Sequence, residues 1–545
     1  MNEADLIFHG GPVYTMDTAA PATDAVAVRA GRVVATGDDV PELVGRRTEV
    51  VNLAGRALLP GFQDAHAHPV AGGLQRMACH LDDIHGLADY QRRIRDYARA
   101  HPELDWITGA GWYGDAFPGG FPTRHQLDEV TGPRPALFDS HDGHGAWANS
   151  EALRRAGITS ASADPPDGRI PRDDTGEPTG MLVEGAARLV GELLPRPDAA
   201  RLEQAVRHAQ RYLHGLGITG WQDAAVGEAL GIPDSFDTYR ALAERGELTA
   251  RVVGALWWRR GVGAEQVDEL VRRRALAGTG RFRATAVKIM QDGVCENLTA
   301  AVLDAYRGHP HERGLSFLSP SELADAVAAV HGAGFDAHIH AVGDRAVRDC
   351  LDAITPVGAD AERRHQIAHI DLIHPEDIGR MRELGVIANV QPLWARQDPV
   401  LVDTKLPYLT DDQRRWHFAF GALAGAGVRM AMGSDWPVSS PNPMWGVHVA
   451  VNRTAPARDP HAGDTRSRTD PLLPEQAISV DAALAAYTRG AAIANHLERD
   501  TGTITVGKAA DLVVLDHDPH RVPPREIGQI EAAMTFVDGR VVHHP

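Results

Sequence analysis

Cysteine is scarce: Cys79, Cys295 and Cys350 are the only three in 545 residues, far apart and without a C-x-x-C spacing. That excludes a disulfide framework and a cysteine-built zinc site, and it fits a reducing compartment. No uninterrupted apolar run approaches the length needed to cross a bilayer. The opening Met1-Asn2-Glu3-Ala4-Asp5 is acidic and lacks the basic segment of a secretory signal. Clusters of Lys and Arg are missing too. The 55 basic residues are outnumbered by 73 acidic ones, for a formal charge of -18, which argues against nucleic acid and anionic membranes as partners. Repeats and low-complexity tracts are absent. The expectation is a cytoplasmic protein acting on a small molecule; its oligomeric state, a homo-oligomer included, is open at this point.

What is present is ample core material, 43% hydrophobic residues, on a chain too long for one ordinary domain but suited to a large barrel with additions. The first sixty residues hold short β-branched runs, Val26-Ala27-Val28, Gly31 to Ala35 and Glu49 to Leu53, separated by Gly and Asp. The C-terminal end has the same texture at Asp511 to Leu515 and Thr535 to Val542. Neither end has strands enough to cover an apolar face alone. We therefore expect residues 1–58 and 498–545 to combine into one small β-sandwich.

Between the ends, apolar strands alternate with amphipathic helices, among them 198–214 and 321–332, the pattern of a parallel α/β fold. Eight strand ends are read at His66-Ala67-His68, Phe138 to His141, Trp221 to Asp223, Val287 to Ile289, His338 to His340, Ile367 to His369, Ala388 to Gln391 and Met432 to Asp435. Polar residues capable of chemistry sit at almost every one, and the carboxyl rim is where a (β/α)8 TIM barrel builds its site. The barrel is expected over 59–497. An insertion at about 70–215, with a hairpin from Arg169 to Met181, is expected over its mouth.

Pro60-Gly61-Phe62-Gln63-Asp64-Ala65-His66-Ala67-His68 places two imidazoles on one side of a strand, able to reach one metal. Spacing alone is weak: among 27 histidines roughly one H-x-H arises by chance, and a second occurs at His338-Ile339-His340. The apolar strand and Pro-Gly turn before the first pair raise it. Asp435, in Gly433-Ser434-Asp435-Trp436-Pro437, ends the last strand, where a carboxylate can bind metal and move a proton; alone it would read as a turn or cap. His340 and His369 close two further strands. Lys288 lies inside an apolar strand, although lysine is rarely buried unpaired. It is either ion-paired, with Asp292 or another carboxylate, or carbamylated so as to bridge two metals. His144, in His141-Asp142-Gly143-His144, is placed to hydrogen-bond a substrate oxyanion or to support the metal ligands. Trp112, Trp147, Trp394, Trp436 and Trp445 lie beside these motifs, either as an apolar pocket wall or as ordinary packing.

Taken together, Gly61 to Pro69, Asp139 to His144 with Trp147 and Asn149-Ser150, Gly180 to Glu184, Lys288 to Ala300, His340 to Asp344 and Gly433 to Pro437 resemble the amidohydrolase superfamily. The resemblance is to its amidohydrolase family 3 branch, which includes YtcJ-like proteins and N-substituted formamide deformylases, and it covers nearly the whole chain. It implies metal ligands at His66, His68, Lys288 as the carbamate, His340, His369 and Asp435, with Asp435 also the general base and acid. The implied cofactor is zinc, as two ions bridged by carbamylated Lys288, with iron, manganese or a single ion left open. Two departures stand out. Ala368 replaces a commonly found glutamate before His369, and Trp394 replaces a commonly polar residue. The implied reaction is hydrolysis of a non-peptide carbon–nitrogen bond of amide or formamide type. Ring deamination ranks second, because Gly343 stands three residues after His340 where such enzymes often carry a glutamate. A non-catalytic scaffold ranks last, since every ligand position is filled. The substrate itself is not legible in the sequence.

Overall fold

A computed structural model describes residues 3–544 apart from 142, 144, 166–167, 230–231 and 279. Two compact units result: Met1–Pro69 with Ala209–Pro545, and Val70–His208.

The first unit is built on eight parallel strands in sequential order: β1 Phe62–Ala67, β2 Ile218–Val226, β3 Arg251–Trp257, β4 Phe282–Met290, β5 Asp336–Ala341, β6 Gln366–His369, β7 Ile387–Val390 and β8 Met430–Met432. β1, β6 and β7 are buried along their full length, as expected of strands covered on both faces. β8 and β1, the ends of this sheet, meet through backbone hydrogen bonds just beyond them. Asp435 N–H donates to the His66 carbonyl and His68 N–H to that of Trp436, each at 2.7 Å. These bonds bring the sheet to a nearly closed barrel. Helices Phe236–Glu244, Val267–Ala277, Pro320–Gly332, Asp344–Ile354 and Pro375–Glu383 follow β2 to β6 in turn. That at Pro320 starts with a reciprocal cap between Ser319 and Glu322, the signature Ser-x-x-Glu provides. Among the described residues no helix is long and apolar enough to cross a membrane.

One strand assignment needs correction. Ala136–Ser140, read above as a barrel strand, belongs to the six-stranded sheet of the second unit, between Ile107–Trp112 and Gly145–Ala148. The barrel strand in its place is β3. It ends in Trp257 rather than in a chemistry-bearing residue, so it lacks the rim signal that marked the others. The second unit also contains the expected hairpin, with Gly168 and Arg169 paired antiparallel to Glu184 and Val183.

Both chain ends enter one eight-stranded sheet. Leu512–Leu515 pairs antiparallel with Ala57–Pro60, which continues to Leu6–Tyr14, Ala22–Arg29 and Arg32–Thr36; Ala532–Val537 and Arg540–His543 extend the other side. The expected two-layer sandwich is, in its strand pairing, a single sheet. Phe8, Val26, Leu58, Leu512 and Phe536 form its main apolar cluster. The boundary also moves slightly, because Leu59 and Pro60 pair with the C-terminal strand.

Arg251, at the start of β3, ties barrel to sheet. Its guanidinium donates to Asp511 at 2.5 and 3.1 Å and to Asp538 at 2.6 Å, and the Asp511 side chain is fully buried. Removing Asp511 takes away the buried partner and leaves the largely buried guanidinium with the more exposed Asp538 alone. Asp511→Ala is therefore expected to lower unfolding stability by about 3 kcal/mol, read as a shift of the urea midpoint. A loss below about 1 kcal/mol, the scale of a surface pair, would show that the contact does not anchor the sheet.

Candidate active site

Asp64, His66 and His68 share one side of β1 and its extension because residues two apart share a face. Asp64 Oδ1 accepts the backbone N–H groups of His66 at 3.1 Å and Ser434 at 3.0 Å, while Oδ2 accepts the Ser434 hydroxyl at 2.5 Å. Burial holds this carboxyl up at about 6 against those three bonds. Gly433 permits the close approach, since a Cβ there would meet the His66 backbone nitrogen at 2.5 Å. The following turn puts Asp435 at φ +58°, and His369 on β6 stands at φ +79°. Such backbone at non-glycine residues costs about 1–3 kcal/mol each and persists where surrounding bonds over-determine it.

These elements bring the six expected ligand positions together. Asp435 Oδ1 lies 3.3 Å from His66 Nε2 and 3.0 Å from His68 Nε2. Lys288 Nζ is 3.2 Å from His66 Nε2. The His369 ring is centred 4.9 Å from His66 and 4.4 Å from His340. Burial first, then the charges of Lys288 and neighbouring histidines, holds His66 well below its ordinary value. Burial does the same to His369 and lowers His340 to about 3. It also lowers Lys288 to about 8, opposed by Asp435. Burial raises Asp435, but the hydrogen bond from His68 and the charges of His68, His369 and Lys288 outweigh it and leave the carboxyl below its ordinary value.

Neutral imidazole nitrogens beside an ionised carboxylate are the donor set that zinc and similar dications take. His66, His369 and Asp435 offer donor atoms within 4.8 Å of one another, so these residues fit a metal. Supporting groups orient them. His369 Nδ1 bonds Gln391 Oε1 at 2.9 Å, which turns its Nε2 toward the site. Asp292 accepts backbone N–H groups from Ala301, Val342 and Gly343, each at 2.9 Å, and stands 3.6 Å from His340 Nε2. Burial pushes its carboxyl up to about 8 despite those bonds. The ion pair of Lys288 with Asp292, weighed above as an alternative, gives way to this arrangement. Asp292 is committed to the loops after β4 and β5, and Lys288 is directed at His66. Position 343 cannot carry the glutamate of a deaminase, because a Cβ there would meet the Ala301 carbonyl oxygen at 1.9 Å.

The tryptophans divide. Trp112 and Trp147 are buried in the core of the second unit with Phe117 and Phe138. Their indole N–H groups donate to the carbonyls of Phe138 at 2.7 Å and Thr123 at 2.8 Å. Packing, not a pocket wall, accounts for both. Trp436 is 1% exposed, beside the Tyr212 ring at 5.4 Å. Trp394 is half-buried and stacks on His369 at 5.5 Å with a 10° interplanar angle; Trp445 is half-buried in the helix Pro443–Asn452. His144 lies outside the described residues.

The site has supporting residues that reading the sequence missed, notably Ser434 as a partner of Asp64 and His338 as a partner of His66. Both were visible inside quoted motifs, but nothing in their spacing announced contacts across 370 and 272 positions.

A match to the amidohydrolase family spans residues 49–543. The chain belongs to the amidohydrolase family. This amidohydrolase is similar to Protein LONG AFTER FAR-RED 3 of Arabidopsis thaliana, with 29% identity across 99% of this chain and 92% of that protein. It is also similar to the N-substituted formamide deformylase of Arthrobacter pascens, with 28% identity across 98% of this chain and 97% of the relative. An uncharacterized metal-dependent hydrolase from Pyrococcus horikoshii OT3 shares the fold, with a TM-score of 0.72 and 23% identity across 95% of this chain and 99% of that one.

Proposed function

We propose that this amidohydrolase cleaves a non-peptide carbon–nitrogen bond of amide or formamide type with the help of divalent metal. The observation that carries the reading is Asp435: ionised, buried, and within 3.3 Å of the imidazoles of His66 and His68 at the rim of β1 and β8. The full-length similarity to a formamide deformylase favours that bond class.

His66, His68, His340, His369 and Asp435 would hold zinc, and Lys288, as its carbamate, a second ion. When bound, the metal lowers the pKa of water from about 16 to about 7 and polarises a carbonyl. Asp435 accepts the proton released as water adds to the carbonyl carbon, then delivers it to the departing nitrogen. Amines leave poorly unless protonated, so the second transfer is as necessary as the first. A cytoplasmic setting agrees with three free, buried cysteines.

The test is metal analysis of the purified protein followed by turnover on a panel of formamides, anilides, lactams and carbamates. Metal-dependent release of amine from at least one class is expected; metal-free protein of equal activity would sink the reading. Trp394, stacked on His369, is proposed as an apolar wall for an aromatic or bulky substituent. Trp394→Ala should raise KM for N-benzylformamide about tenfold, the scale of a lost aromatic contact, and leave small formamides unchanged. Equal losses on both would remove Trp394 from the pocket.

A further inference from the structure

The second H-x-H pair, on β5, has so far contributed only His340. His338 is fully buried, two residues below the rim, and its β4 neighbour in register is Lys288. Its Nε2 lies 2.8 Å from His66 Nδ1, and the two ring centroids are 4.7 Å apart. The opposite edge of His66, Nε2, faces Lys288 Nζ at 3.2 Å and Asp435 Oδ1 at 3.3 Å. Where Lys288 stands as an ammonium, which has donors only, the lone pair facing it sits on Nε2 and the ring proton sits on Nδ1. That proton needs an acceptor, and the atom within reach is His338 Nε2. A metal at the site asks the same of His66: a ligating Nε2 requires the proton on Nδ1.

We propose that His338 is a positioning residue for the metal centre. It accepts the Nδ1 proton of His66 and so fixes the tautomer and ring angle in which Nε2 offers its lone pair to metal. This rests on the metal-dependent reading above. His338 is buried and touches the ligand's far edge, so it acts through His66 rather than on substrate.

The test compares His338→Leu, which removes the acceptor, with His338→Gln, whose side-chain oxygen can stand near the imidazole Nε2 position and accept the same proton. Zinc affinity of the full chain, stripped and titrated against a chromophoric chelator, is read alongside the melting temperature of each metal-free protein. H338L should bind zinc about 10–100-fold more weakly, the effect of losing a ligand's orienting partner, while its metal-free melting temperature stays within a few degrees of wild type. H338Q should stay within about threefold of wild type, because the acceptor is restored. H338L with wild-type affinity overturns the proposal. So does equal loss in both variants, which would mean that the ring's shape rather than its acceptor matters. If H338L does not fold, H338Q decides alone, retention supporting the proposal and loss overturning it. Wild-type protein that takes up no zinc would overturn this inference together with the reading beneath it, whereas the other outcomes touch His338 only.

Discussion

Asp435→Asn is expected to keep the fold and much of its metal while losing nearly all turnover. The fold should survive because the bonds that close the barrel come from the backbone: Asp435 N–H to the His66 carbonyl, and His68 N–H to that of Trp436. The φ of +58° at this position also suits asparagine, one of the residues enriched in left-handed backbone. An amide oxygen can still face His66 and His68, so the donor set loses a charge but not an atom. What the amide cannot do is take up a proton. General acid–base groups contribute about 10²–10⁴-fold, and a residue serving both proton transfers belongs at the upper end. The measurement is kcat of the variant with its metal content determined on the same sample. A metal-loaded variant turning over at the wild-type rate would remove Asp435 from the chemistry.

How much of this was legible in the sequence depended on where the determining contacts lie along the chain. His66, His68, His369 and Asp435 were readable because each ends an apolar run, and strand ends of a parallel barrel face one rim. The same rule misled at Phe138 to His141, an apolar run ending in polar residues that sits in the second unit's own sheet. It also passed over β3, whose last residue, Trp257, carries no ionisable group. Strands from both ends share one sheet, but hydrophobic alternation does not say whether strands form one sheet or two layers. Trp112 and Trp147 show a similar limit. Proximity in sequence to rim motifs placed them near chemistry, yet each satisfies its indole N–H inside a core. The residues that hold the ligands in place were the least legible. The bond from Ser434 to Asp64 and that between His338 and His66 depend on barrel closure and on register between strands far apart in sequence, neither of which local periodicity encodes.

Lys288→Ala should cost metal and activity together. Lys288 is 2% exposed and lies 3.2 Å from a ring nitrogen of His66. An ammonium cannot ligate a cation, and burying its charge beside one or two dications without a compensating anion is prohibitive. Burial lowers its pKa to about 8, which brings the neutral amine within reach near physiological pH. That amine can add to carbon dioxide: a nitrogen–carbon bond forms, one proton leaves, and the side chain becomes an anion with two oxygens. The product would add negative charge to a set whose expected protein ligands otherwise contain one carboxylate, Asp435, and would offer oxygen donors with which to hold metal. The alternative partner, Asp292, is bonded to three backbone N–H groups instead. Truncation to alanine is therefore expected to remove at least one metal ion and to lower turnover by about 10²-fold or more, the scale of losing a group that stabilises developing charge. Added acetate, small enough to enter the vacated space, should restore part of both. Wild-type protein equilibrated with 13C-bicarbonate should show a carbamate carbon resonance that Lys288→Ala lacks. A variant that keeps full metal content and full turnover would replace the bridged pair with a single-metal site in which Lys288 takes no part.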